Sequence, residues 1–284
     1  MELRIKNAES ESERLAADRI TWHAFGRTGL PWPIHAARRL NSGRWPRATP
    51  WIGTVDGETV TSLLCYQFDF QRGDERRAGF GLGAVGTHPD HRRRGHAARL
   101  CAAVAEHDGG AGLLFAGIDP EYYERLGYVA VPAWDHHCAR ASDLAASGPR
   151  AALRPIEARR ELDRLQEAWS AAHDGWYIPR DEERWHASFE INPQDFWFAV
   201  EAGGYVRCVL EEDALDIVER CTPDPDGALR AVAALAGDRK LTTWLEPDAL
   251  IAEWFEDIGR ATTLPMLRGL DAPESVRISS ADYF

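Results

Sequence analysis

The chain has 284 residues, 44% of them hydrophobic, which fits two domains of ordinary size, each with a core of its own. A formal net charge of −12 argues against general nucleic-acid binding. No apolar run approaches the roughly 18 residues of a membrane span, and the polar start MELRIKNAESESERLA lacks a signal-peptide core, so a cytoplasmic protein is expected, with neither nucleic acid nor membrane as partner.

In chain order, residues 9–25 predict a helix with Leu15, Ile20, Trp22 and Phe25 among its apolar positions. GLPWPIHAARRLNSGRWPR (29–47), rich in Pro, Gly and Trp, predicts a site-shaping loop with a short helix. TPWIGTVDGETVTSLLCYQFDFQ (49–71) is a hairpin turning at Asp56-Gly57. AGFGLGAVGTHP (78–89) is a strand whose glycines, Gly79, Gly81, Gly83 and Gly86, point to a bulge or to another molecule approaching the backbone. A helix follows over about 94–107, then a buried strand AGLLFAGI, a short helix PEYYERLG and a strand YVAVPAW. This is a mixed α/β layout with a parallel crossover between the Gly-rich strand and AGLLFAGI. Residues 141–153 are small and polar and read as a linker between segments 1–140 and 154–284.

The acidic chain gathers Arg92, Arg93 and Arg94 at one strand-to-helix turn, followed by Gly95, His96, Ala97 and Ala98. The first N–H groups of a helix have no internal partner, and the helix dipole adds positive potential there. Gly95 and Ala97 are small enough to let a phosphate reach the main chain, and the arginines supply forked donors. A local pocket of this kind suits a pyrophosphate. As a merely solvated helix start, the triplet would be unfavourable by about 0.3–1 kcal/mol per residue. The phosphate loop of nucleotide hydrolases is excluded because G-x-x-x-x-G-K-[ST] is absent.

AVGTHPDHRRRGHAARL resembles the signature of GCN5-related N-acetyltransferases (GNAT), a strand followed by [Q/R]-x-x-G-x-[G/A] and a helix, with Arg92, Gly95 and Ala97 in the defined positions. YYERLGY (122–128) resembles the family's later signature, aromatic-Tyr-x-x-x-Gly-aromatic. The resemblance covers about residues 1–140. It implies acetyl-CoA as co-substrate, with its pyrophosphate on the N–H groups of Arg93, Arg94, Gly95, His96, Ala97 and Ala98. The pantetheine arm would lie along Val85, Gly86 and Thr87, which would account for the glycines of that strand. It further implies acetyl transfer to a primary amine of a small molecule or peptide. The N–H of Val85 or Thr87 would serve the oxyanion and Tyr123 would be the acid that protonates the departing thiolate; Tyr122 reads as core or substrate wall. Glu121, His88 and Asp119 lie near the motifs, and none stands out as a base.

Residues 155–270 carry a fainter version of the same plan. With Gly259 set against Gly127, Phe255 takes the place of Tyr123; with Thr222 set against Thr87, the loop reads Pro223-Asp224-Pro225-Asp226, with acids in place of arginines. The expectation is two tandem GNAT-like domains, the second degenerate and without cofactor. That tandem, with GLPWP, HRRRG and LPMLRGLDAP, resembles the enhanced-intracellular-survival (Eis) branch of the family. In that branch a sterol-carrier-like domain follows, the last carboxylate acts as base and the assembly is a homo-oligomer. Here Phe284 comes soon after MLRGLD, so that third domain is expected to be absent.

Two other roles fit the sequence: a CoA-binding regulatory or interaction module without turnover, and transfer of a longer acyl group. The acidic surface and the tryptophans Trp32 and Trp45 suit a cationic, partly apolar substrate, and they suit core packing equally. The DHHC stretch, Asp135 to Cys138, has no companion ligands and predicts no metal site. Cys65, Cys101, Cys138, Cys208 and Cys221 are scattered and odd in number, as free thiols of a reducing cytosol are. Lys6 and Lys240 are the only lysines, a bias that fits a halophile and a GC-rich genome equally.

Overall fold

The computed structural model describes residues 2–25, 31–40, 48–191, 194–259, 263–271, 276 and 278. Strand β1 (Arg4–Asn7) leads into helices α1 (Glu11–Phe25) and α2 (Trp32–Leu40). β2 (Ala48–Val55) and β3 (Glu58–Arg72) form the expected hairpin, with φ of 51° at Asp56 and 86° at Gly57, whose turn matches the strand twist. β4 (Glu75–Thr87), α3 (His96–Asp108) and β5 (Ala111–Ala116) make the expected parallel crossover, Gly79–Leu82 lying beside Ala111–Leu114. Helix α4 (Glu121–Glu124) and the short β6 (Val129–Ala130) follow.

The chain continues through β7 (His136–Cys138), α5 (Ala141–Ala146), β8 (Leu153–Pro155), α6 (Leu162–Ala171) and α7 (Glu182–Ile191). Next come β9 (Phe196–Val200), β10 (Tyr205–Leu210), β11 (Ala214–Cys221), α8 (Pro225–Ala236) and β12 (Lys240–Thr243), then α9 (Ala249–Trp254), β13 (Glu256–Asp257) and β14 (Leu264–Arg268). Among the described residues the strands build two mixed sheets, ordered β1-β2-β3-β4-β5-β14-β6 and β8-β9-β10-β11-β12-β7-β13. The two orders correspond strand for strand, and the parallel pair β11/β12 stands where β4/β5 stands in the first sheet.

The sheets do not coincide with segments 1–140 and 154–284, because they exchange strands. β7 lies between β12 and β13 in the second sheet, and β14 lies between β5 and β6 in the first. Each of those slots needs an antiparallel ladder partner for its main-chain groups, and the opposite half supplies it. Residues 141–153 also differ from the expected linker. Ala141 and Leu144, three positions apart on one face of α5, are buried in the second core beside Leu229 and Val232 of α8.

The first core collects Leu63, Phe80, Leu82, Leu100, Val104 and Tyr128 under α3. A further cluster, with Phe70, Leu113, Val131, Trp176, Ile178 and Leu267, joins the two halves. Trp176 is fully buried, with the guanidinium carbons of Arg72 and Arg77 4.6 and 5.1 Å from its ring centroid. Gln71 and Tyr177 exchange main-chain hydrogen bonds of 2.9 and 3.0 Å beside it. All five cysteines are free and buried. No helix among the described residues is long and apolar enough to cross a membrane.

Candidate active site

β4 and β5 pair only as far as Leu82 and Leu114 and then part. On its other side β4 slips register against β3 between Ser62 and Leu64, and Ala84 takes a φ of 50°, so a bulge sits at the mouth of the fork. Beyond Leu82, the main-chain groups of residues 83–87 that point away from β3 have no β5 partner and face the fork. Val85 and Thr87 are half-buried there, and the Thr61 hydroxyl donates to the Gly86 carbonyl at 2.7 Å, fixing the strand end. The bulge is one of the two causes expected for the glycines, and packing inside the chain adds another. A Cβ on Gly86 would come within 2.9 Å of Ala24 in α1, and one on Gly79 within 2.8 Å of the Phe70 ring. Close packing inside the chain excludes side chains at these two positions.

At the end of β4 the arginine turn meets α3. Gly95 is its N-cap, at φ 75° and with no side chain capping the first turn, so the N–H groups around Gly95, His96, Ala97 and Ala98 remain open. Arg92 spends its Nε on the Thr87 carbonyl at 3.2 Å, and Arg94 donates to the Asp90 carbonyl at 3.2 Å. Arg93, at φ 61°, and Arg94 are exposed beside the turn. His96 is held below the usual imidazole range by partial burial, then by His91, Arg94 and Arg99. An uncapped helix start with two exposed arginines fits a pyrophosphate.

Tyr123 projects from α4 into the first core, in the cluster that holds Leu82, Cys101, Leu114 and Met266. Its ring stands edge-on to Tyr122 at 4.9 Å and to Tyr128 at 6.3 Å. Burial, with lesser contributions from Cys101 and Tyr122, pushes its hydroxyl well above the ordinary phenol range, so it keeps its proton at neutral pH. Burial likewise pushes Tyr122 up, to about 12. The segment carrying Tyr123 is braced by the exchanged strand β14. Arg268 Nη1 donates to the Leu126 carbonyl at 3.3 Å, the Val131 N–H donates to the Pro265 carbonyl at 3.0 Å, and Met266 packs in the same cluster. Sequence reasoning missed this brace; LPMLRGLDAP was visible as a motif but carried no sign of its sheet.

The acids and histidine near the motifs are committed locally. Asp119 accepts the Glu121 N–H at 3.0 Å, Glu121 pairs with Arg125 at 3.2 Å, and His88 Nδ1 accepts the Asp90 N–H at 3.4 Å. Trp32 opens α2 and packs on Trp22 and His35, with ring centroids 6.1 and 5.9 Å away. Gly29, Leu30, Trp45 and Phe284 lie outside the described residues.

The corresponding place in the second half is built differently. The start of α8 is stoppered from within: Asp224 Oδ1 accepts the Gly227 N–H at 3.0 Å, and Pro225 removes one donor from the first turn. Phe255 follows α9 and is buried, and Gly259 repeats the positive φ of Gly127, 70° against 82°. The matched glycines support the alignment of Phe255 with Tyr123.

Residues 9–131 match the family model described as an acetyltransferase (GNAT) domain. Among solved structures, a GCN5-related N-acetyltransferase from Kribbella flavida is 21% identical with a TM-score of 0.73, over 96% of this chain and 72% of that one. Eis1 from Mycobacterium abscessus is 18% identical with a TM-score of 0.66, over 94% and 73%. A GCN5-related N-acetyltransferase from Anabaena variabilis is 16% identical with a TM-score of 0.70, over 93% and 72%. The likeness is one of fold, and it extends over both halves of the chain. No curated protein matches.

Proposed function

We propose that the chain is an acetyl-CoA-dependent N-acetyltransferase that works in its first half on a primary amine of a small molecule or peptide. The reading rests on one juxtaposition: the uncapped start of α3 and the open edge of β4 meet at the β4/β5 fork, with Tyr123 in the same cluster as Leu82 and Leu114. The first-turn N–H groups of α3, with Arg93 and Arg94, would hold the pyrophosphate, and Val85, Gly86 and Thr87 the pantetheine arm. Acetyl-CoA supplies the acetyl thioester.

The chain's own groups do the rest. A neutral amine forms the C–N bond as the C–S bond breaks. Main-chain N–H groups at the bulge around Val85 take up negative charge on the carbonyl oxygen. Tyr123 gives the sulfur a proton, the amine releases its own to solvent, and solvent returns one to Tyr123. The hydrogen bond from the buried phenol to the sulfur strengthens as charge builds there, and the proton crosses as the C–S bond breaks. The second half binds no CoA, because the Asp224 carboxylate occupies the Gly227 N–H and puts negative charge at the helix start, and Pro225 removes a further donor.

The test is thiol release from acetyl-CoA with a panel of primary amines, alongside melting with and without acetyl-CoA. Stabilisation of about 2.7 kcal/mol is expected at 100 times the dissociation constant. Absence of both thiol release and stabilisation would overturn the reading; stabilisation without release from any amine would favour a binding module.

A further inference from the structure

The strand that completes the first sheet comes from the other half of the chain, and it carries an arginine to the turn behind Tyr123. The Tyr123 carbonyl accepts from the Leu126 N–H at 2.9 Å and from the Tyr128 N–H at 3.2 Å, so residues 126–128 fix the end of α4 that bears Tyr123. Arg268, the last residue of β14, reaches that same turn. Its Nη1 donates to the Leu126 carbonyl at 3.3 Å, and its guanidinium carbon lies 5.8 Å from the centroid of the Tyr128 ring. The Tyr128 ring in turn stands 6.3 Å from the ring of Tyr123. Arg268 pairs with Gly112 of β5, where a Cβ would come within 2.9 Å of the Arg268 Cγ and 2.8 Å of the Tyr128 hydroxyl. The glycine at 112 leaves room for both side chains.

The second half shows what stands in this place where the tyrosine is gone. The two forks end on matching pairs, Leu82 beside Leu114 in the first sheet and Ile217 beside Thr243 in the second. Across the exchanged strands, Leu114 faces Met266 and Thr243 faces His136. Two residues further along, Gly112 facing Arg268 therefore corresponds to Leu241 facing Cys138. Behind the second fork a leucine fills the room that Gly112 leaves open, and a cysteine stands in place of the arginine, both fully buried. A strand in this slot thus packs well with an apolar pair, and the sheet has no need of a guanidinium for its own sake. The residue in line with Tyr123 in that half is Phe255, which has no proton to aim. The arginine is present in the half that keeps the hydroxyl and absent from the half that has lost it.

We propose, on the reading of Tyr123 as the acid of an acetyltransferase, that Arg268 is its positioning residue, so that a strand of the second half aims the acid of the first. Without the guanidinium the Leu126 carbonyl is released and the turn can shift, and a displacement of about 1 Å is enough to cost about 100-fold in turnover. Arg268→Met, which keeps the stem over Gly112, should lower kcat for thiol release by about 10- to 100-fold. Its acetyl-CoA melting shift should match that of wild type, because the α3 start is untouched. The deciding measurement is the double variant. In the Tyr123→Phe background, Arg268→Met should lower kcat by less than about threefold, because no hydroxyl is left to aim. Unchanged kcat in Arg268→Met, loss of its acetyl-CoA shift, or the full fall in kcat repeated on top of Tyr123→Phe would each overturn the role of Arg268 and leave the acid in place. Near-wild-type kcat in Tyr123→Phe alone would instead remove the acid, and the role of Arg268 with it.

Discussion

Tyr123→Phe separates chemistry from folding in a way the structure makes quantitative. Among the described residues the Tyr123 hydroxyl has no hydrogen-bond partner, while its ring is buried against Tyr122, Tyr128 and Met266. Removing the oxygen leaves no orphaned donor or acceptor behind. Stability should therefore change by less than about 0.5 kcal/mol, which is under about 2 °C in melting temperature for a chain of this size. Acetyl-CoA affinity should also hold, because the α3 start, Arg93 and Arg94 are untouched. Turnover should fall by about 10²–10⁴-fold, the usual worth of a positioned acid, or about 2.7–5.5 kcal/mol of barrier. That loss should appear in kcat and kcat/KM together, since the hydroxyl acts on charge present only as the C–S bond breaks. Steady-state thiol release measures it, with Tyr122→Phe as a control that stays near wild type. A kcat for Tyr123→Phe within about threefold of wild type would refute the assignment and leave solvent to protonate the sulfur. A fall in melting temperature well beyond that range would mean that the oxygen has a structural role.

Gly95→Asp should abolish the acetyl-CoA melting shift, because it puts a carboxylate at the uncapped helix start and a side chain at φ 75°; an undiminished shift would put the cofactor elsewhere. Leu144→Ala should destabilise the chain by about 2–5 kcal/mol in denaturant unfolding, because α5 is core; a value near zero would restore residues 141–153 to the status of linker. His96, depressed in the free protein, should gain a proton when a pyrophosphate arrives beside it. Acetyl-CoA should then bind more tightly as pH falls from about 7.5 to 6, with proton uptake in calorimetry that exceeds the uptake of His96→Asn. Equal uptake by the two proteins would remove His96 from the site.

Much of the fold was legible because it is written locally. Asp56-Gly57 between β-rich runs fixed the hairpin, since the turn requires positive φ at both residues. The Gly95 turn and the helix after it were visible for the same kind of reason, and the spacing from Thr87 and Gly127 located Thr222 and Gly259 in the second half. Periodicity says which face of a strand is buried but not which strand lies alongside. The exchange of β7 and β14 depends on ladder partners more than 100 residues away in the chain, so segments 1–140 and 154–284 were drawn too cleanly. The same limit hid α5, whose small residues look like a linker until α8 covers them. It also hid the packing that keeps side chains off Gly79 and Gly86, and the Asp224 cap. The sequence by itself determined the local turns, the uncapped helix start and the tyrosine with its spacing, because each depends on backbone geometry within a few residues. Only the tertiary structure decided what braces Tyr123 and what lies in the second fork, because those surfaces exist only once strands distant in the chain have chosen their neighbours.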